Sequence, residues 1–206
     1  MSQESDIYKR VLSRRNSEFK SAVKLNNRAN NIPCVISEHI ANQLNYQFPS
    51  RIKIENNWNL VYSTDQHGIS YKTLLENVEN KGAILIAIRD SKDHVFGAFI
   101  NQPLEKHPNF YGNGTCFLWK IDQENSLRIF KHSKKEDYFI LCDPDFFAVG
   151  GGNGKFGLWV SSDLLHGNSE SCSTFDNLPL STNNSTINHL NDSSFTIQSI
   201  EMWSLV

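Results

Sequence analysis

Residues 147 to 159 read Phe147-Ala148-Val149-Gly150-Gly151-Gly152-Asn153-Gly154-Lys155-Phe156-Gly157-Leu158-Trp159, and the rest of the chain is organised around them. This stretch holds five of the eleven glycines between two apolar flanks. Glycine loses more backbone entropy on folding than any other residue, so such a cluster is favoured only where the backbone adopts φ > 0 or closely approaches another segment. We therefore predict a turn that brings two strands into a tight crossing.

Three phosphate-binding motifs share part of this spacing. A P-loop would place Val149 at its first glycine and Phe156 at its Ser/Thr, so both positions fail. Gly152, Gly154 and Gly157 fit the dinucleotide fingerprint, but the bulky residues around Gly157 are typical of a strand and not of the required helix. Kinase loops have the same glycines, yet the chain has no H-R-D, D-F-G or A-P-E sequence. We predict no nucleotide or other cofactor.

Composition indicates one domain with an acidic body. With 206 residues, of which 39% are hydrophobic, the chain can bury one substantial core. Residues 1 to 30 carry seven Lys/Arg against three Asp/Glu, whereas the remainder carries thirteen against nineteen. Nucleic-acid-binding domains usually present a basic face, so we predict no nucleic-acid partner.

The cysteines and the lack of long apolar segments indicate a cytoplasmic protein. No cysteine forms a C-x-x-C pair and no histidine has zinc-ligand spacing, so we expect free thiols and no metal site. No apolar run is long enough for membrane insertion, and no secretory h-region is present. Glu4, Asp6 and Glu18 make a mitochondrial transit peptide less favoured. The cysteines are Cys34, Cys116, Cys142 and Cys172.

A polar segment and a first helix begin the chain. Residues 1 to 31 have no strong apolar stripe, so we predict a mobile N-terminal arm. Ile36, Ile40 and Leu44 then recur at helical spacing, with Ser37 before the first turn. This pattern predicts a helix with Ser37 as its N-cap.

A second helix is predicted after a turn at residues 64 to 70. Asp65, His67 and Ser70 supply the group types of a hydrolase triad within six residues. Triads assemble from distant segments, however, and the nucleophile motif G-x-S-x-G is absent. We therefore interpret Ser70 as the N-cap of the helix whose apolar face comprises Tyr71, Leu74, Leu75 and Val78.

Short strands dominate the rest of the chain. Their number, without long helices between them, predicts an α+β, mainly β fold in which two antiparallel sheets pack as a sandwich with a few short flanking helices. A run rich in Asn, Ser and Thr at residues 181 to 194 predicts a surface loop. The strand segments are 58–62, 83–88, 94–100, 115–119, 127–130, 138–142, 146–149, 156–160 and 195–203.

The glycine stretch and its neighbours are similar to the signature of the TLDc domain family. Matching segments occur in the family's order from about residue 36 to residue 206, which makes the resemblance specific. They are 60–64 with 67–70 and Leu74, 96–98, 110–112 with 117–118, 147–160, 162–169, 172–177 and 200–203. The resemblance also implies an antiparallel two-sheet sandwich over residues 32 to 206, and we expect neither a LysM nor a Rab-GAP domain.

The resemblance implies a non-enzymatic interaction domain. Family members are tied to resistance against oxidative stress and to binding the vacuolar-type proton ATPase, whose assembly they regulate. We therefore expect a monomer that binds cytosolic subunits of this pump, with the peripheral stalk favoured, and that is recruited to the vacuolar or lysosomal surface. The resemblance implies no catalytic residue. The subunit bound and the direction of regulation stay open.

The candidate partner-binding residues come from the shared motifs. For each glycine among them, backbone shape is the alternative explanation. The chain departs from the family at Ser161, where an acid is often found, and in the longer loop at residues 181 to 194. Because Ser161 is uncharged, it cannot make the contact that an acid at this position would make. The candidates are Gly68, Ser70, Gly97, Gly150, Gly151, Gly152, Gly154, Gly167 and Glu201.

A small thiol-dependent antioxidant enzyme is the alternative function. It would use a thiolate at Cys116, Cys142 or Cys172, and a nearby cation would have to lower the pKa of that thiol. Lys155 and His166 are side chains of the right type, but two aspartates follow Cys142 closely and no cysteines are paired. The sequence therefore favours the interaction domain.

Overall fold

The computed structural model describes residues 22–53, 56–181 and 193–205. Within these ranges the chain forms three helices, α1 (Glu38–Asn45), α2 (Thr64–His67) and α3 (Tyr71–Val78). None of these helices is long and apolar enough to cross a membrane. The strands in the same ranges are β1 (Lys24–Asn26), β2 (Asn57–Ser63), β3 (Ile84–Asp90), β4 (Val95–Ile100), β5 (His107–Tyr111), β6 (Phe117–Ile121), β7 (Leu127–Lys131), β8 (Ile140–Cys142), β9 (Phe146–Val149), β10 (Leu158–Ser161), β11 (His166–Asn168) and β12 (Ser194–Ser204).

The strands form one continuous hydrogen-bonded sheet. Its order is β5-β8-β9-β10-β11-β12-β3-β4-β6-β7, while β2 also pairs with β12 and β1 runs parallel to β2. The first residues of β12 pair with β11, and the remainder of the strand pairs with β3. The mainly antiparallel β fold with few short helices is confirmed. Two separate sheets packed as a sandwich are not confirmed, because hydrogen bonding continues from one half to the other through β12.

Alternating side chains build a hydrophobic cluster on each face of the central strands. In β3, Ile84, Ile86 and Ile88 belong to one cluster, whereas Leu85 and Ala87 belong to the other. The first cluster also contains side chains of β8, β9 and β10, and the second contains side chains of α1 and of the chain before it. Because β3 is buried on both faces, its sequence is an almost unbroken apolar run.

The two helices predicted from apolar periodicity are confirmed, and each begins at its predicted serine. Ser37 accepts a hydrogen bond from the N–H of Ile40 at 3.3 Å, and Ser70 accepts one from the N–H of Thr73 at 3.2 Å. The predicted turn between them contains a further helix, α2, which begins after Ser63. A helix of four residues is too short to show a period in the sequence.

Every predicted strand segment is found within a few residues of its predicted ends. The strands β1, β5 and β11 were not predicted. Both β1 and β11 have only three residues, and β5 begins with three exposed polar or proline residues. Such segments lack the alternation of apolar and polar side chains by which a strand is recognised.

The folded body begins earlier in the chain than the sequence predicts. Of the predicted mobile arm at residues 1 to 31, the first 21 lie outside the described ranges. Residues 22 to 31, however, are attached to the sheet, because β1 pairs with β2 and Val23 is only 2% exposed. The pairing joins segments about thirty residues apart, and so depends on contacts that local sequence does not show. Most of the predicted loop, residues 182 to 192, also lies outside the described ranges.

Candidate functional site

The glycine stretch forms the turn between β9 and β10. Gly150, Gly152 and Gly154 have φ values of 81°, 119° and 71°, in the region that favours glycine. Asn153 has φ of 56°, which asparagine tolerates better than most residues. The N–H of Lys155 donates to the carbonyl of Gly152 at 3.1 Å and closes the turn. Positive φ therefore explains three of the five glycines.

The same turn packs closely against the segment around Thr174. A Cβ atom at Gly150 would lie 2.5 Å from Cδ2 of Phe175 and 3.0 Å from Sγ of Cys172. Thr174 donates to the carbonyl of Gly151 from its N–H at 3.2 Å and from its hydroxyl at 2.9 Å. The predicted turn is present, but the strands it joins do not cross, because β9 and β10 pair as antiparallel neighbours. The close approach is between the turn and this loop segment.

Gly97 and Glu201 lie in one row across the sheet. Glu201 of β12 is opposite Ala87 of β3, and Ala87 is opposite Gly97 of β4. A Cβ atom at Gly97 would overlap the backbone oxygen of Ile86 and lie 3.2 Å from Cε2 of Trp119. Glycine is therefore required here for β3 and β4 to pair.

Glu201 fastens the chain before α1 to the sheet. Its buried carboxylate accepts hydrogen bonds from the N–H of Val35 and the indole N–H of Trp203, both at 3.0 Å. A guanidinium nitrogen of Arg28 lies 3.5 Å from this carboxylate, Arg28 Cζ lies 5.0 Å from the Trp203 ring centre, and Arg28 donates to the carbonyl of Ile36 at 2.9 Å. Burial raises the pKa of the Glu201 carboxyl, although its hydrogen bonds and Arg28 oppose the shift. We call Arg28, Trp203 and Glu201 the arginine anchor.

Gly68 and Ser70 shape the entry to α3. Gly68 has φ of 79°, and its carbonyl accepts a hydrogen bond from the hydroxyl of Tyr62 at 2.7 Å. Burial raises the pKa of this tyrosine, so its hydroxyl stays protonated as a donor. The hydroxyl of Ser70 is engaged as the helix cap.

The side chains that suggested a hydrolase triad have separate partners. The Nδ1 atom of His67 accepts from the N–H of Ser63 at 2.9 Å, and the carboxylate of Asp65 accepts from the hydroxyl of Ser199 at 2.8 Å. Ser70 binds neither of them and caps α3. The arrangement therefore supports the interpretation of Ser70 as a cap, because a triad needs a hydrogen bond between nucleophile and base.

The candidate residues offer a partner little surface. A Cβ atom at Gly167 would overlap the ring of Phe195 and lie 3.0 Å from the carbonyl of Trp159, so this glycine also permits close packing. Only Gly68 and Gly154 are exposed, and the structure gathers the candidates into separate groups and not into one site. The buried candidates are Gly97, Gly150, Gly151, Gly167 and Glu201.

Three of the four thiols are buried. Burial raises the pKa of the Cys116 thiol to about 11, and it also raises the pKa values of Cys142 and Cys172. Sγ of Cys142 lies 3.4 Å from the hydroxyl of Tyr71. Cys34 is partly exposed. The three buried thiols are therefore protonated at neutral pH, the form that is a poor nucleophile.

The two side chains considered as thiol activators have other partners. Lys155 lies 3.2 Å from the carboxylate of Glu170, and Nδ1 of His166 lies 2.6 Å from that of Asp163. Within residues 22–53, 56–181 and 193–205, no group of three or more His, Cys, Asp or Glu side chains is placed to hold a metal ion.

Asp90 is the centre of a buried polar cluster that sequence analysis missed. Its carboxylate accepts from the N–H groups of Lys92 and His94, each at 2.9 Å, and from the hydroxyl of Ser181 at 2.6 Å. Nδ1 of His94 lies 2.8 Å from the same carboxylate. The hydroxyl of Ser181 binds the carboxylate of Asp90, whereas the nucleophile of a catalytic triad binds the base. The cluster therefore does not have the order of a triad. It joins residue 181 to the turn between β3 and β4.

An aromatic surface on β9 and β10 was also not predicted from the sequence. Strand alternation directs Phe147 and Val160 into the core and leaves Phe146 and Trp159 on the opposite face. The ring centre of Phe146 lies 5.8 Å from that of Trp159 and 6.0 Å from that of Phe156. We call these three half-buried residues, Phe146, Phe156 and Trp159, the aromatic face. Strand alternation in the sequence separates Phe146 and Trp159 from Phe147 and Val160, but it does not show which of the two sets meets the core.

Two aspartates border the aromatic face where β9 begins and β10 ends. Ser161 pairs with Phe146, and the exposed residues Asp145 and Asp163 adjoin this pair in the chain. Burial acts to raise the pKa of Asp163, but hydrogen bonds from His166 and nearby N–H groups outweigh it and lower the pKa to about 2. The position of Ser161 is therefore bordered by two acids, although Ser161 itself carries no charge.

A groove of about 580 Å³ lies beside α3. Leu75, Leu104 and Pro144 provide apolar lining, and charges of both signs surround them. The mixture of charges selects no single ligand chemistry. The charged residues are Lys72, Glu76, Glu79, Glu105 and Lys106.

The fold and these sites define a mainly β domain in which four of the seven candidate glycines, Gly97, Gly150, Gly151 and Gly167, are buried. The TLDc domain model matches residues 30–206, so the chain belongs to the TLDc domain family and the resemblance seen in the sequence is confirmed.

Two protein names recur among the relatives of this chain. The chain is 34% identical to "Oxidation resistance protein 1" of Yarrowia lipolytica over 176 residues, which cover 82% of this chain and 72% of that protein. It is 42% identical to "Oxidation resistance protein 1" of Bos taurus over 147 residues, 71% of this chain. It is 37% identical to "Nuclear receptor coactivator 7" of Gallus gallus over 162 residues, 78% of this chain. The chain spans only 16% of each of these two animal proteins.

Proposed function

We propose that the protein is a non-enzymatic interaction domain that contributes to oxidative-stress resistance by binding cytosolic subunits of the vacuolar-type proton ATPase and regulating its assembly. The family match and the relatives named for oxidation resistance support the link to oxidative stress. The pump is the partner implied by the family resemblance of the motifs. In this proposal the protein acts as a monomer in the cytoplasm, docks on the peripheral stalk, and is recruited to the vacuolar or lysosomal surface.

We choose a binding function over an antioxidant enzyme because three of the four thiols are buried. A thiol-dependent enzyme that consumes peroxide needs an accessible thiolate of lowered pKa. The thiols of Cys116, Cys142 and Cys172 are instead buried, with raised pKa values. A protein that acts through a bound partner needs no such group.

The proposal is tested with purified vesicles that carry the pump. We expect the wild-type protein to bind the vesicles and to change both ATPase activity and the release of peripheral subunits. The combined Cys116→Ala, Cys142→Ala and Cys172→Ala substitutions should leave this effect intact, since small apolar side chains can replace buried thiols. Cys34→Ala should also leave it intact.

Peroxide consumption in the presence of a thiol reductant is measured on the same preparations. Thermal unfolding shows whether each variant is folded, and single substitutions replace the triple variant if that variant does not fold. Unchanged pump assembly with wild-type protein, together with peroxide loss that depends on a cysteine, would overturn the proposal.

A further inference from the structure

The aromatic face presents a tryptophan to solvent. The main helix contacts in the described ranges are those of α1 with β7, of α2 with β2 and β12, and of α3 with β2. The hydroxyl of Tyr71 in α3 also donates to the backbone carbonyl of Phe146 at 2.8 Å, where β9 begins. Trp58, Trp119 and Trp203 are fully buried, whereas Trp159 is half-buried. Tryptophan and arginine are the residues that most often dominate the binding energy of protein interfaces. A partner could therefore gain much binding energy by covering Trp159.

The charge around this face favours a cationic partner. Asp145 and Asp163 are exposed at one end of the aromatic face. At the other end, Lys155 lies 3.2 Å from Glu170, so its positive charge is balanced. Nδ1 of His166 lies 2.6 Å from the carboxylate of Asp163, so the excess negative charge of this border comes from Asp145. This charge attracts a positively charged segment and disfavours an acidic one.

The arginine anchor shows that this chain already binds an arginine with the same chemistry. There the guanidinium of Arg28 lies over the Trp203 ring, with Cζ 5.0 Å from the ring centre, and 3.5 Å from the carboxylate of Glu201. Ring faces attract cations through their quadrupole, and the planar guanidinium stacks on them more readily than an ammonium does. Trp159 with the bordering Asp145 provides the same two groups on the surface.

We propose that the aromatic face binds an arginine-bearing segment of a partner protein. An arginine of that segment stacks on Trp159 and Phe146 and directs its guanidinium toward Asp145. This inference rests on the proposed function, because it gives the surface and the chemistry through which the domain would recognise its protein partner.

A labelled helical peptide with three arginines along an otherwise apolar face provides the probe. Its affinity for the whole chain is measured by fluorescence anisotropy, and the same peptide with citrulline in place of arginine tests whether the charge matters. Quenching of tryptophan fluorescence by acrylamide reports mainly on Trp159, since the other three tryptophans are fully buried. We expect the arginine peptide to bind and to reduce this quenching, and the citrulline peptide to bind at least about tenfold more weakly.

Asp145→Lys tests the acidic border, because Asp145 is exposed and the substitution is compatible with the fold. It should weaken the arginine peptide about fivefold. Glu124→Lys, an equal change of charge in the exposed turn between β6 and β7, is the matched control and should have little effect. Trp159→Leu keeps apolar cover but removes the indole, and should weaken binding further. Thermal unfolding verifies that each variant is folded.

Two results would overturn the inference: no binding of the arginine peptide at about 1 mM, or equal weakening by Asp145→Lys and Glu124→Lys. Pump association of the same variants separates this inference from the proposed function. If the wild-type protein fails to bind the pump while the peptide results hold, the proposed function fails. If pump binding persists in Asp145→Lys and Trp159→Leu, the aromatic face is not the pump-binding surface, and that outcome counts against the inference.

Discussion

Gly97 is a residue whose role the sequence suggested only in part. Its place in a shared motif made it a candidate for partner binding, but it is buried in β4, opposite Ala87 of β3. By contrast, the requirement for φ > 0 in the glycine stretch was predictable, and Gly152 has φ of 119°. The difference is physical: a cluster of glycines reveals unusual backbone geometry, whereas the contacts of a single strand glycine depend on neighbouring strands.

Gly97→Ala should abolish stable folding, because the new Cβ atom would overlap the backbone oxygen of Ile86. Gly154→Ala is the control. Its Cβ would meet no other described atom within 4 Å, so only its φ of 71° opposes the change, at about 1 kcal/mol. Urea denaturation measures both free energies of unfolding. A Gly97→Ala protein as stable as the Gly154→Ala protein would contradict the assignment of Gly97 to close strand packing.

Glu201 should make stability depend on pH. Burial raises the pKa of its carboxyl above the ordinary value of 4.5, so the folded protein holds this proton more tightly than the unfolded chain. The stability that Glu201 contributes is therefore fully present below pH 4.5 and is lost as pH rises through the raised value. Denaturant titrations across this range should show the wild-type protein losing stability relative to Glu201→Gln. A difference that stays constant with pH would contradict this expectation.

At the scale of elements, the sequence predicted best where a pattern spans several turns or several strand residues. The helices α1 and α3 and all strands with a clear apolar pattern were found. The short elements β1, β11 and α2 carry no measurable period, and β5 is largely exposed. The aromatic face was missed because assigning Phe146 and Trp159 to strands does not by itself decide which side of each strand meets the core.

Removal of the cap of α3 should have a modest and local effect. Ser70→Ala loses the hydrogen bonds that its hydroxyl accepts from the N–H of Thr73 at 3.2 Å and the hydroxyl of Thr73 at 3.0 Å. We expect a loss of about 1 kcal/mol in the free energy of unfolding, measured with urea.

Ser37→Ala, which removes the cap of α1, should cost a similar amount and is the matched control. Pump association should be unchanged in both variants, because each serine is used within the fold. If Ser70→Ala abolished pump association without loss of stability, Ser70 would be a partner-binding residue.

For the whole molecule, the sequence predicted the β-rich character but not the single continuous sheet. The pairing of β12 with β2, β3 and β11 joins segments from much of the described chain. The local pattern of residues 195–203 is the same for a strand that joins two halves of one sheet and for a strand that belongs to only one of two separate sheets. The extent of the core was easier to predict from the sequence, since apolar runs recur throughout residues 83 to 160.

The burial of the thiols predicts their reactivity in the whole protein. A water-soluble aromatic disulfide should modify Cys34 first, because this cysteine is partly exposed and the other three are buried. Cys116, Cys142 and Cys172 should react only as the fold opens, and promptly in denaturant. The rate is followed by release of the coloured thiol, with Cys34→Ala as the control. Rapid reaction of two or more thiols in the folded protein would contradict the buried arrangement.

The central position of β12 also bears on synthesis of the chain. This strand comes last among the described elements, yet it lies between β11 and β3 and pairs with β2 as well. While residues 194 to 204 remain in the ribosomal exit tunnel, the earlier strands lack their common neighbour and keep apolar edges open. The nascent polypeptide therefore depends on protection from aggregation until translation has passed this strand. A premature stop codon before Ser194 would remove the middle of the sheet, and the shortened product would be a substrate for proteolysis.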